Sequence, residues 1–217
     1  MSVPDNRRGV PLAVLRRVVR SRPVPAAGER CEMCAEPIDA AHAHVVDLHS
    51  RALMCGCRPC YLLFTDEHAS LRYRSVPERY LSFGAGVDDA AWHELQIPVG
   101  LAFLFRNSVQ ERMIAFYPGP AGATESDLPL TAWDRIVARQ PGFGVLRADV
   151  EALLIRRDGP AAAGSCHRVP IDACYALVGQ LRTRWRGFDG GQEAHQVIET
   201  FFGGVRDRSR PAPAGAA

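Results

Sequence analysis

Residues 31–64 read CEMCAEPIDAAHAHVVDLHSRALMCGCRPCYLLF, and five of the chain's seven cysteines lie there. Cys31-Glu-Met-Cys34 and Cys57-Arg-Pro-Cys60 are two Cys-x-x-Cys pairs separated by 22 residues, with Cys55 two places ahead of the second. Each such turn brings two sulfurs toward one point while backbone N–H groups face them. Two turns together supply the four thiolates of a tetrahedral Zn2+ site. The stretch between the pairs has room for a β-hairpin, and Cys60 opens the apolar run Tyr61-Leu-Leu-Phe64, suited to a short helix. Knuckle, hairpin and helix start, in that order, predict a small treble-clef or zinc-ribbon-like module over residues 29–66. Its expected ligands are Cys31, Cys34, Cys57 and Cys60. Four thiolates close the coordination shell, so zinc here is expected to hold structure rather than perform chemistry.

Cys55 leaves alternatives open. On an extended strand Cys55 and Cys57 face the same way, so either can be the third ligand. Five thiolates exceed what one tetrahedral ion takes, which keeps an iron–sulfur cluster as the alternative cofactor; Cys55 also reads as a small core residue. His42, His44 and His49 lie between the pairs and, with Asp47, faintly resemble the HNH endonucleases. The His–Asp order runs against that motif and no second His–Asn pair follows, so these are expected to be hairpin or surface histidines. An enzymatic site would need Cys/Cys/His ligation through His44 or His49 with a position left open.

Ahead of this stretch, Leu12, Val14, Leu15, Val18 and Val19 fall at near-helical spacing among arginines. They predict a short amphipathic helix over 11–20, with a linker to residue 28. Behind it, Ser75-Val-Pro-Glu78 has the signature of a helix start, closed by Gly84 and Gly86, and Asp88 caps a helix carrying Ala91, Trp92 and Leu95. Residues 97–105, IPVGLAFLF, and 113–117 predict a β-hairpin whose first strand is buried on both faces. A Gly/Pro-rich loop over 118–130 presents Thr124, Glu125, Ser126 and Asp127 as candidate partner-binding residues. Thr131 and Asp134 then cap a helix bearing Trp133, Ile136 and Val137, stopped by Pro141-Gly142.

A second unit follows. Strands at 150–156 and 166–169 flank a turn at 158–160, and Pro170 starts a helix with Ile171, Cys174, Leu177, Val178 and Leu181 on one stripe. A last helix over 193–205 brings in Val197, Ile198, Phe201 and Phe202, and residues 206–217 read as a disordered Pro/Ala tail. The expected class is α+β. Residues 67–205 form a four-stranded antiparallel sheet with helices on one face, in two hairpin-then-helix units. Cys166 and Cys174, with His167, are a candidate second metal or redox pair, although Cys174 also fits the apolar stripe of its helix.

Composition narrows the function. The 217 residues are 47% hydrophobic and 23% charged, ordinary for a globular chain. All 26 basic side chains are Arg. A chain without Lys makes no Schiff base with pyridoxal phosphate and supplies no phosphate-binding Lys of a P-loop or kinase. A net charge of +2 gives no global pull toward nucleic acid, which is not expected as a partner. With no apolar run near the roughly 20 residues of a membrane span and no signal-peptide core, a cytoplasmic chain without a membrane partner is expected.

The chain resembles an uncharacterised, mostly actinobacterial family encoded beside actinobacterial-type nickel–iron hydrogenases. The resemblance spans nearly its whole length. It rests on Cys31-Glu-Met-Cys34, Cys55-Gly-Cys57-Arg-Pro-Cys60-Tyr-Leu-Leu-Phe, Ala121-Gly-Ala-Thr-Glu-Ser126, Asp149-Val-Glu-Ala-Leu-Leu154 and Pro170-Ile-Asp-Ala-Cys-Tyr175. It implies a genetic setting, with hydrogenase or its maturation machinery as protein partner. The expected function is a non-catalytic, zinc-containing accessory or assembly factor; the alternative is an iron–sulfur redox or cluster-delivery protein.

Overall fold

Val45 and Val46 begin the ordered sheet structure, in β1 (Ala43–Asp47), which returns through a tight turn into β2 (Ala52–Gly56). The computed structural model describes residues 28–66, 71–84, 86–97, 99–119, 122–126, 130–157, 164–187 and 190–213. The helix expected over 11–20, its linker as far as residue 27, Asp127 and the turn at 158–160 lie outside them. Asp47 makes the β1–β2 turn: its carboxylate accepts the N–H groups of His49 at 3.0 Å and Ser50 at 3.4 Å, and Arg51 takes the left-handed φ of 60°. The Arg72 guanidinium, 2.6 Å away, holds the Asp47 carboxyl well below the usual carboxylate range. Asp47 therefore has a structural task, which accounts for it without nuclease chemistry.

The short α1 (Arg58–Leu62) follows, then β3 (Tyr73–Ser75), which pairs antiparallel with β1 and completes a three-stranded sheet ordered β2-β1-β3. The small sheet thus draws on residues to either side of position 66. The helix expected from Ser75 does not form. The Ser75 hydroxyl donates to the Tyr61 carbonyl, Val76 N–H goes to the His44 carbonyl at 3.0 Å, and residues 81–83 are recruited as β4 (Leu81–Phe83). Long-range strand pairing overrides the local capping signal.

Asp88 does cap α2 (Asp89–Glu94), accepting Ala91 N–H at 2.7 Å. The expected hairpin is β5 (Leu101–Asn107) with β6 (Arg112–Gly119). The expected 118–130 loop is in part a third strand, β7 (Gly122–Ser126), folded back on β6 with Gly122 at φ 112°. α3 (Leu130–Arg139) follows, ended by a 3-10 turn at Pro141–Gly144. The second unit is β8 (Glu151–Arg156), β9 (Ser165–Pro170) and α4 (Ile171–Arg184). The last helix is α5 (Gly191–Arg208), and β10 (Arg210–Pro211) pairs parallel with β4. Residues 206–211 are therefore ordered through these elements, where a disordered tail over 206–217 was expected; residues 214–217 lie outside the described residues.

Among the described residues the large sheet has seven strands in the order β10-β4-β9-β8-β5-β6-β7, antiparallel at every pairing but the first. Its two central hairpins meet where β5 pairs with β8. The α+β class stands, but helices cover both faces, not one. Phe103, Phe105, Ala152, Leu154 and Val169 pack toward α4 and α5, whereas Ala102, Leu104, Leu153, Ile155 and Cys166 pack toward α2 and α3. Strands apolar at successive positions need cover on both sides, because a single helical layer would leave every second residue in water. Val46 and Val76 join the α4/α5 side of this core and dock the small sheet onto the large one.

Leu154, on a central strand with no solvent exposure, has little room to collapse around a cavity. Leu154→Ala is expected to lower the unfolding free energy by about 2–5 kcal/mol, read by equilibrium urea denaturation.

Candidate metal centre

The knuckle is built by the backbone. Cys31 N–H donates to the Glu36 carbonyl at 2.8 Å, Ala35 N–H to the Cys31 carbonyl at 2.8 Å, and Ala35 turns the chain at φ 64°. Glu32 then ties the knuckle to β2: its N–H donates to the Cys55 carbonyl at 2.9 Å, and its carboxylate accepts Cys55 N–H at 2.5 Å. Cys57 occupies the N-cap position of α1, Pro59 sets the first turn, and Cys60 follows one turn on.

These two turns bring Cys31, Cys34, Cys57 and Cys60 together, their sulfurs all within 4.8 Å of one another. Cys34 Sγ and Cys57 Sγ are 3.6 Å apart, close to the roughly 3.8 Å edge of a tetrahedron with metal–sulfur bonds near 2.3 Å. Cys31, Cys57 and Cys60 are buried and Cys34 is exposed. Cys55 is not in this group. Its sulfur lies instead with His42 and His44.

Cys31, Cys34 and Cys60 do not ionise alike. Burial pushes Cys31 up, but the backbone N–H groups of Cys57, Cys34 and Met33 outweigh it and bring the thiol down to about 6. Cys60 is pushed up to about 12, first by its hydrogen bond with Cys57 and then by burial. The Glu36 backbone pulls Cys34 down, but its Cys57 and Cys31 neighbours leave it raised. One thiolate is welcomed by the amides; further negative charge beside it is opposed. A cation among the four sulfurs removes that opposition, so the donor set fits a bound metal ion.

The other expected sites fare differently. Cys166 packs on the α2/α3 side of the sheet and Cys174 on the α4/α5 side, so the sheet itself separates the candidate pair. Burial raises both thiols well above their ordinary value. His167 is buried with Nδ1 3.2 Å from Ser209 Oγ. Thr124 and Glu125 are exposed and Ser126 half-buried on β7, but Glu125 is already held by Arg112 at 2.7 Å. A cleft of about 380 Å3 opens between the β1–β2 hairpin and the large sheet, floored by Phe105, Ile114 and Phe116. Two of its carboxylates are committed, Glu125 to Arg112 and Asp149 to Arg74 at 3.0 Å.

Sequence reading missed the grouping of His42, His44 and Cys55. The alternation of His42 and His44 was the available signal; the register opposite Cys55 was not. It also missed Glu151, fully buried on β8 against Arg79 and Arg168.

No described helix is long and apolar enough to cross a membrane. Comparison with known proteins finds a family model, the family of unknown function DUF5947, matching residues 30–209. No curated protein and no solved structure matches the chain.

Proposed function

We propose, from the premise that this chain belongs to the DUF5947 family, that it is a non-catalytic, zinc-containing accessory or assembly factor acting through protein–protein contacts. The observation that carries the reading is the closed set of four cysteine sulfurs within 4.8 Å of one another. Cys31, Cys34, Cys57 and Cys60 hold a single Zn2+ whose shell they fill, leaving no position for water, so the ion fixes the knuckle against α1 in treble-clef fashion. The spacing supports one ion over a cluster, because a polynuclear iron–sulfur centre interposes several atoms between its cysteines and spreads them wider.

Two features favour a protein partner. Leu62 and Leu63, at the end of α1 beside Cys60, are 52% and 68% exposed and make an apolar tip on the metal module. β7, bearing Thr124, Glu125 and Ser126, is an edge strand able to accept a further strand, with Asp127 just beyond it. The family resemblance draws the partner from nickel–iron hydrogenase or its maturation machinery, in the cytoplasm.

The test is elemental analysis and absorption of untagged protein prepared without oxygen. A colourless protein with about one tightly held zinc per chain is expected. A brown protein with visible absorption that changes on reduction overturns the zinc reading in favour of an iron–sulfur carrier.

A further inference from the structure

Beside the four-sulfur group lies a second set of donors with a different character. One ring nitrogen each of His42 and His44 and the Cys55 sulfur lie within 4.8 Å of one another. The hairpin register is the cause. His44 sits directly opposite Cys55 in the β1–β2 ladder, and His42, just ahead of β1, has its ring 4.8 Å from that of His44.

Both imidazoles are anchored through Nδ1. His42 Nδ1 lies 2.8 Å from the Asp39 carbonyl oxygen, with a Glu29 carboxylate oxygen at 3.3 Å. His44 Nδ1 lies 2.8 Å from Asp172 Oδ2, in the first turn of α4. Oxygen acceptors at both positions place the proton on Nδ1 and leave the Nε2 lone pair free, which is how metal-binding histidines are held. His42 Nε2 is buried without a hydrogen-bond partner among the described residues, on a side chain only 9% exposed. A buried lone pair left over after the ring has been fixed in place calls for an occupant. The rings are 4.8 Å apart and inclined at 60°, so they are not stacked on one another.

We propose that His42 Nε2, His44 Nε2 and Cys55 Sγ form a second transition-metal site, separate from the four cysteines, with Asp172 and the Asp39 carbonyl as positioning groups. Two imidazoles and a thiolate suit a borderline divalent ion of the Zn2+ or Co2+ kind. Three protein donors leave a fourth position open to water or an exchangeable ligand, unlike the closed four-sulfur shell. This assignment does not depend on how the four cysteines are filled.

The test titrates Co2+ into the full chain after washing with a chelator weak enough to leave the first zinc. The expected result is about one further ion per chain, with a thiolate-to-cobalt charge-transfer band. His42→Gln/His44→Gln is expected to weaken that binding by about 100-fold or more while the first zinc stays. Cys55→Ser, measured in parallel, is expected to abolish the charge-transfer band, also with the first zinc retained. It carries the test if the histidine variant fails to fold. The proposal is overturned if wild-type protein takes up no second ion, or if the charge-transfer band survives Cys55→Ser. Loss of the first zinc in Cys55→Ser also overturns it, because Cys55 would then belong to the four-sulfur site.

Discussion

Cys57→Ser is expected to abolish the tightly held ion, taking the metal that survives washing with a weak chelator from about one ion per chain to near zero. It is also expected to free residues 30–38 from protection against amide exchange, while β5 and β8 stay protected. The reason lies in what else holds the knuckle. Among the described residues its apolar cluster consists of Cys31, Cys57 and Cys60, with Met33 and Ile38 packed against them. Such a cluster buries far too little to order a segment, whereas a structural zinc supplies on the order of 10 kcal/mol at neutral pH. The small sheet is better placed, because Val46 and Val76 belong to the core of the large sheet. Loss of structure should therefore be local to the knuckle and the start of α1. Metal analysis and hydrogen exchange on the same samples check both halves. Full retention of metal in Cys57→Ser would remove the four-cysteine site altogether.

Glu151→Gln is expected to destabilise the whole fold by about 3–5 kcal/mol, lowering the unfolding temperature by roughly 10 °C. Glu151 has no solvent exposure. One carboxylate oxygen accepts Arg79 at 2.7 and 3.0 Å; the other accepts Arg147 N–H at 2.9 Å and faces Arg168 at 4.0 Å. Arg168 is itself buried, with Nη1 donating to the Val145 carbonyl and Nε without a partner among the described residues. Neutralising the one acid at this point leaves a guanidinium in the core with no compensating charge, the costly way to break a buried pair. Replacing Arg79, which is 45% exposed, should cost less, because the buried carboxylate left behind keeps the Arg147 N–H at 2.9 Å and the Arg168 charge at 4.0 Å. Thermal unfolding of the two variants side by side checks the order. An Arg79 variant more damaging than Glu151→Gln would show that the buried charge is not what matters here.

Local chemistry was legible where it needed no distant partner. The two Cys-x-x-Cys turns, the Asp88 cap and the uninterrupted apolar run of β5 each express themselves within a few residues, and each appears in the fold. The signals that failed competed with long-range pairing. Ser75 had a capping signature but faces Val45 across β1, and the glycine-rich stretch after β6 folded back as β7 instead of remaining a loop.

By itself the amino-acid order determined that four cysteines would meet, that the chain would mix helices with antiparallel strands, and that lysine chemistry was closed to it. Only the tertiary structure decided that helices would cover both faces of the sheet, that the sheet would part Cys166 from Cys174, and that Cys55 would leave the four-sulfur group for two histidines. The physical reason is register. Which residue faces which across a sheet depends on strands brought together from far apart in the chain, and a shift of one residue would turn every side chain to the opposite face.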